Sequence, residues 1–275
     1  MCMKTRIISA IVGIAIFIVV LAFGFKIPLV LLIALAALNS MAIYEILNNT
    51  GLVTYKPAVI VSCVEGALFV LSLVQSNLYK GVKTAAIIYA AYFLFISIFA
   101  LIKHSKINTR GLLSLLFLPF MLGVAFCGMY AMFRSSLSTY GFNFFLVFIF
   151  AWGADTGAYF TGTFFGKHKL APEISPKKTV EGCIGGVVTA VLLSVVLALV
   201  YKSTWNFDVD FLRLCAYAVA FSLVGMVGDL FTSFIKRDCG IKDFGTIMPG
   251  HGGVLDRFDS VLFIAPFYFV VALAL

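Results

Sequence analysis

Read along its length, the chain alternates long apolar runs with short polar breaks. The runs are Ile7–Phe25, Pro28–Leu47, Pro57–Val74, Ala85–Ile102, Leu112–Phe133, Phe142–Phe160, Gly182–Tyr201, Phe211–Asp229 and Ser260–Leu275. A membrane-crossing helix needs about 20 mostly apolar residues, and these runs lie near that length. The second tapers into polar residues at Asn39 and Ser40, and the ninth has few apolar residues before the chain ends. Pro119 and Pro266 predict kinks in the fifth and ninth. The pattern predicts an all-α, polytopic integral membrane helical bundle of about nine transmembrane helices. It divides into N-terminal transmembrane helices, 1–141, and a C-terminal region, 142–275, that carries the chemistry on cytoplasmic loops.

Composition agrees with this reading. Of 275 residues, 62% are hydrophobic and 12% are charged, and the mean hydropathy is +1.09. Soluble domains average about 25% charged residues. The net charge of +8, spread over membrane loops, is no nucleic-acid footprint; it sets topology and attracts anionic lipid or nucleotide. With the N-terminus inside, fourteen of the twenty Lys/Arg residues fall in inside loops. That ratio predicts an N-inside, C-outside arrangement. The six scattered cysteines form no C-x-x-C and read as small buried hydrophobes. The apolar run after Lys4 and Arg6 lacks a small-residue cleavage site and reads as a retained first span.

Against this hydrocarbon background, charge concentrates in two inside loops, Gly166–Glu181 and Ser233–Arg257. The approach to the first holds Asp155 within an apolar run, between Gly153 and Gly157. An acid within the membrane is costly and functional by default, although a paired structural carboxylate is the alternative. Further on, Ser175, Lys177, Lys178 and Thr179 precede Glu181 and Gly182 at the mouth of a span. Two lysines and two hydroxyls beside a helix N-terminus suit a phosphate cradle; Lys177 and Lys178 read equally as topology anchors.

The denser cluster runs from Asp229 to Asp259 and holds five aspartates, four Lys/Arg, His251 and five glycines. On a helix, Asp229, Ser233 and Lys236 share one face at i, i+4 and i+7, and Asp256 and Asp259 share another. Gly250, Gly252 and Gly253 permit a tight turn whose N–H groups face an anion. Carboxylates suit a hard divalent cation, and Lys/Arg suit phosphate oxygens. Asp229 and Asp256 form the preferred metal pair. His251 could orient phosphate, move a proton or cap a turn. Glu65, inside the third span, reads as paired with a neighbouring helix, as snorkelling or as functional. Glu45, Asp208 and Asp210 sit near span ends and call for no special account. These residues point to a metal–phosphate ligand and leave the nucleotide and lipid open.

The run Ser233-Phe-Ile-Lys236-Arg237, Lys242-Asp243, Gly245, Pro249, His251-Gly252-Gly253 and Asp256-Arg257-Phe258-Asp259 closely resembles the signature of the phosphatidate cytidylyltransferase (CDP-diacylglycerol synthase) family. Gly153-Ala154-Asp155-Thr-Gly157-Ala-Tyr159 and Ser175-Pro176-Lys177-Lys178-Thr179 also resemble that family. The resemblance is strong in the C-terminal half and generic before Phe142. Met248 departs conservatively from the more usual Leu, Ile or Phe.

The resemblance implies that the chain converts CTP and phosphatidate to CDP-diacylglycerol and pyrophosphate. It implies an all-helical bundle acting as a homodimer; the expected location is the bacterial cell (inner) membrane, and the basic inside loops put the active site on the cytoplasmic side. Mg2+ is the implied cofactor, with K+ as a candidate companion. Asp229 and Asp256 are expected to hold the metal, Asp259 to assist them and Asp155 to support the site. Lys177, Lys178, Lys236, Arg237 and Lys242 are expected on the CTP and phosphatidate phosphates, and Arg257 to bridge a carboxylate and a phosphate. Ser175, Thr179, Ser233, His251, Gly252 and Gly253 complete the expected substrate contacts. An ionised lipid phosphate needs little general base, so His251 is not assigned that role. The competing readings are a CTP-dependent polyprenol-type lipid kinase, an ether-lipid cytidylyltransferase and, from another class, an anion transporter.

Overall fold

The computed structural model describes residues 3–75, 77–139, 141–247, 250 and 252–274, and the side chains of all these except 3–8, 10, 273 and 274. Its helices are α1 (Met3–Lys26), α2 (Pro28–Tyr44), α3 (Lys56–Leu71), α4 (Leu78–Ile102), α5 (Thr109–Ser135), α6 (Phe142–Phe148), α7 (Ala154–Phe165), α8 (Val180–Trp205), α9 (Phe211–Asp238) and α10 (Leu255–Ala274). A π-helical turn, Glu45–Asn49, prolongs α2, and another, Ile149–Gly153, joins α6 to α7. Among the described residues, seven helical rods are long and apolar enough to cross a membrane, with α6 and α7 counted as one. Two of the nine expected spans differ from these. In the first, the continuous stretch with described side chains, Ile11–Lys26, is apolar but shorter, and α10 opens with Asp256, Arg257 and Asp259. Both α5 and α10 run on as helices through Pro119 and Pro266.

Local chemistry accounts for many of the helix boundaries. Pro28 and Pro57 lie in first turns, where a missing N–H costs nothing. Asn77 accepts the N–H groups of Tyr79 and Lys80 at the start of α4, and Thr179 accepts that of Gly182 at the start of α8. Asn206, with φ 55°, closes α8 in the left-handed conformation that asparagine tolerates.

The sequence did not predict a two-stranded antiparallel sheet, β1 (Lys169–Ala171) and β2 (Ser175–Thr179). The stretch read as a loop is this hairpin. With only two strands, Pro176 can occupy a strand without interrupting a central ladder.

The chain divides into two compact units, Met1–Arg134 with Asp238–Phe258, and Ser135–Arg237 with Asp259–Leu275. In the first, α2 and α3 are tied by Asn39 Nδ2 donating to Gly66 O at 2.9 Å and Ser40 Oγ to Cys63 O at 2.8 Å. Tyr92 donates to Leu115 O at 2.7 Å and meets Ser62 Oγ at 2.7 Å, tying α3, α4 and α5. Without water in the bilayer, such interhelical bonds and close packing hold spans together. Glu65 is buried, and among the described residues neither of its carboxylate oxygens has a hydrogen-bond partner. The described residues thus supply no neighbouring-helix hydrogen bond for it, and it has no exposed, snorkelled position.

In the second unit, small residues form a seam between α7 and α8. A Cβ on Gly157 would stand 2.5 Å from Thr189 Cβ, and one on Gly186 would stand 2.7 Å from Ala154 O. This close approach fixes the residues at both ends of the seam, Asp155 on α7 and the hairpin that leads into α8.

Candidate functional site

In the second unit, α7, α9, α10 and the hairpin bring their polar residues together. Asp155 follows the π turn Ile149–Gly153, an interruption that often marks functional positions in helices. It is exposed, and its Oδ2 accepts from Ser260 Oγ at 3.3 Å. Lys178, on β2, forms an ion pair with Asp229 Oδ2 on α9, and both side chains are roughly three-quarters buried. Arg237 Nε donates to Ile174 O at 3.3 Å, which ties the end of α9 to the hairpin.

The expected face of α9 is present. Ser233 Oγ approaches Asp229 Oδ1 at 3.4 Å, and Lys236, one turn beyond, is 8% exposed. Packing of α9 against α10 is close because Gly228 carries no side chain. A Cβ there would stand 2.8 Å from Phe263 Cβ and 2.9 Å from Asp259 O. The Asp259 carboxylate consequently interacts with the charges of Asp229, Asp155 and Lys236, and Asp155 with those of Asp229 and Lys178.

Three carboxylates in mutual range repel one another, and a cation relieves that repulsion. Lys178 supplies positive charge at Asp229. Among the described residues, no group of three or more His, Cys, Asp or Glu side chains is placed to hold a metal as it stands. The donors are nonetheless all oxygen, which suits a hard ion such as Mg2+ that keeps several waters and takes few protein ligands. The ammonium at Asp229 marks this carboxylate as a cation acceptor.

Thr179 is buried, with its hydroxyl capping α8 through Gly182 N at 3.1 Å. Ser175 is half-buried and Lys177 exposed on the same strand. Glu181 accepts the N–H groups of Lys167 and His168 and meets His168 Nδ1 at 2.6 Å, closing the base of the hairpin.

In the first unit, the glycine turn has left-handed φ at Gly250 (81°) and Gly252 (89°), as the tight turn requires. The N–H groups of Phe244, Gly253, Val254 and Leu255 meet carboxylates of the protein itself. Asp256 Oδ2 accepts from Phe244 N at 2.8 Å and Gly253 N at 2.9 Å. Glu45 Oε1 accepts from Val254 N and Oε2 from Leu255 N, both at 2.9 Å. The Gly253 N–H is thus directed at Asp256. Lys242 and Arg257 are exposed and Asp256 is buried. His251, Met248 and Pro249 lie outside the described residues.

Two residues that the sequence reading passed over take part here. Ser260 follows the signature directly and could have been suspected from that place. Glu45 left only the weak signal of a lone acid at the end of an apolar run.

A sequence model of the cytidylyltransferase family matches residues 4–275. A phosphatidate cytidylyltransferase of Bacillus subtilis (strain 168) is 34% identical over 276 residues, covering 98% of this chain and 98% of that protein. A protein of the same name from Staphylococcus aureus (strain COL) is 35% identical over 265 residues, with 96% of each chain covered. Another, from Staphylococcus epidermidis (strain ATCC 12228 / FDA PCI 1200), is 33% identical over 271 residues, again covering 96% of each.

Proposed function

The chain belongs to the cytidylyltransferase family, and from that premise we propose that it joins CTP to phosphatidate, forming CDP-diacylglycerol and releasing pyrophosphate, with the reaction served by the charged residues of α9, the hairpin and the start of α10. The observation that carries this reading is the meeting of Asp155, Asp229 and Asp259 with Lys178. It combines oxygen ligands for a hard cation with an ammonium for phosphate, as a metal–nucleotide substrate requires.

A phosphate oxygen of phosphatidate attacks the α-phosphorus of CTP. The new bond is O–Pα, and the bond from Pα to the β-phosphate oxygen breaks, so that pyrophosphate leaves with the electron pair. Such a displacement depends on alignment and charge neutralisation. Asp229, supported by Asp155 and Asp259, is a proposed Mg2+ ligand, and the signature supports Asp256 as another. Mg2+ held there supplies charge neutralisation on the CTP phosphates, and K+ is a candidate companion. Lys178 exchanges its carboxylate partner for a CTP phosphate oxygen. Lys177, Lys236, Arg237, Lys242 and Arg257 hold the remaining phosphate charge.

The basic bias of the inside loops supports a cytoplasmic position for these residues. The bacterial relatives are in keeping with a cell membrane as the proposed location, and a homodimer is the proposed assembly. Pyrophosphate release by the purified protein tests the reading. The rate should require CTP, phosphatidate and Mg2+ together, and consumption of CTP that ignores phosphatidate would refute it.

A further inference from the structure

The first unit contains a carboxylate that neither the signature nor the relatives' name accounts for. Glu45 is 1% exposed and begins the π turn at the end of α2. Its two oxygens accept the N–H groups of Val254 and Leu255 at the entry to α10. From the same turn, Asn49 Nδ2 donates to Phe244 O at 2.7 Å. One turn of α2 thus grips both ends of the segment from Phe244 to Leu255. Asp256 closes the same base from within, through Phe244 N and Gly253 N.

Glycine placement follows from this grip. A Cβ on Gly253 would stand 2.5 Å from Glu45 Cδ, and one on Gly245 would stand 2.8 Å from the same atom. Gly253 is not among the positive-φ glycines, so its backbone alone would accept alanine. These two signature glycines leave room for the Glu45 carboxylate. A buried anion at a helix start is favoured by the unpaired N–H groups and the helix dipole. With the carboxylate ionised, its two backbone bonds are charge-assisted, which makes them stronger than neutral ones.

We infer that Glu45 is a positioning residue for the nucleotidyl transfer: it fills the anion hole at the start of α10 and thereby fixes the segment that presents Asp256. The inference rests on the reading that Asp256 serves this reaction. Partners that orient a ligand carboxylate typically contribute about 10- to 100-fold in metal affinity or activity.

The test uses Glu45→Gln and Glu45→Asp in the full-length protein, with Glu65→Gln as a buried-acid control. Glu45→Gln should remain folded by size exclusion in detergent, lose about 10- to 100-fold in kcat and need more Mg2+ for half-maximal rate. Glu45→Asp, which keeps the charge but shortens the reach, should recover part of both. Glu65→Gln should match wild type in Mg2+ dependence. Wild-type turnover and Mg2+ dependence in Glu45→Gln would overturn the inference. So would failure of both Glu45 variants to fold, which would make the residue a structural anchor only.

A second measurement reads the contact without the chemistry. Gly253→Ala should lower the melting temperature, and adding Glu45→Ala should restore part of that loss because the obstructing carboxylate is gone. Strictly additive losses would overturn the placement of Glu45. If wild type failed to release pyrophosphate from CTP and phosphatidate, the proposed function would fail, while this coupling would still report on the grip itself.

Discussion

Asp229→Asn alters charge with almost no change in shape, which makes it a direct probe of the carboxylate cluster. The Asp229 side chain is 22% exposed and loses two things: its ion pair with Lys178 and its charge toward Asp155 and Asp259. The first loss is a hydrogen bond to a charged group, about 1.5–3 kcal/mol in favourable settings. Relief of the repulsion among the three acids offsets part of it. The close packing of Gly228 on Phe263 is untouched, so the variant should melt within a few degrees of wild type. Turnover should respond far more. Removing one group aimed at developing charge costs about 2.7–4 kcal/mol, or about 100- to 1000-fold in rate. A metal ligand should cost at least as much. The assay is pyrophosphate release at saturating CTP and phosphatidate, repeated over a range of Mg2+ concentrations. Turnover within about threefold of wild type would remove Asp229 from the metal-binding role; a threefold change corresponds to only about 0.65 kcal/mol.

Three other perturbations separate chemistry from scaffold. Lys178→Gln should raise the KM for CTP by about 10-fold or more, the equivalent of one charged hydrogen bond, while the protein remains folded; an unchanged KM would return Lys178 to the role of topology anchor. Gly157→Val should destabilise the second unit by about 1–3 kcal/mol through overpacking against Thr189, seen as a lower melting temperature in detergent. Asn77→Ala should remove the α4 cap, cost about 1 kcal/mol and leave kinetics unchanged, so an altered KM in this variant would contradict its assignment as a cap alone.

Much of the helical frame was legible because lipid imposes a simple rule. Runs such as Leu112–Phe133 and Gly182–Tyr201 must satisfy their backbone internally, and they appear as α5 and α8. The Asp229, Ser233 and Lys236 face followed from helical spacing and is present. The hairpin was missed because its strands have three and five residues, too few for a period-2 pattern. Glu45 was missed for a different reason. A lone acid at a span end resembles a snorkelling one, and its partners Val254 and Leu255 lie more than 200 residues away in sequence. The glycine turn was read as facing an anion; the Gly253 N–H meets Asp256, and the N–H groups of Val254 and Leu255 that follow it meet Glu45. Local sequence reveals that a donor set exists; only the tertiary fold reveals which acceptor fills it.

The central claim is that the cytidylyl group, rather than a terminal phosphate, moves to the lipid. Parallel reactions of the purified protein with phosphatidate, Mg2+ and CTP labelled at either the α- or the γ-phosphorus test it directly. α-Label should pass into the organic phase as CDP-diacylglycerol while γ-label stays in water as pyrophosphate. Recovery of γ-label in the lipid would identify a kinase and contradict the account.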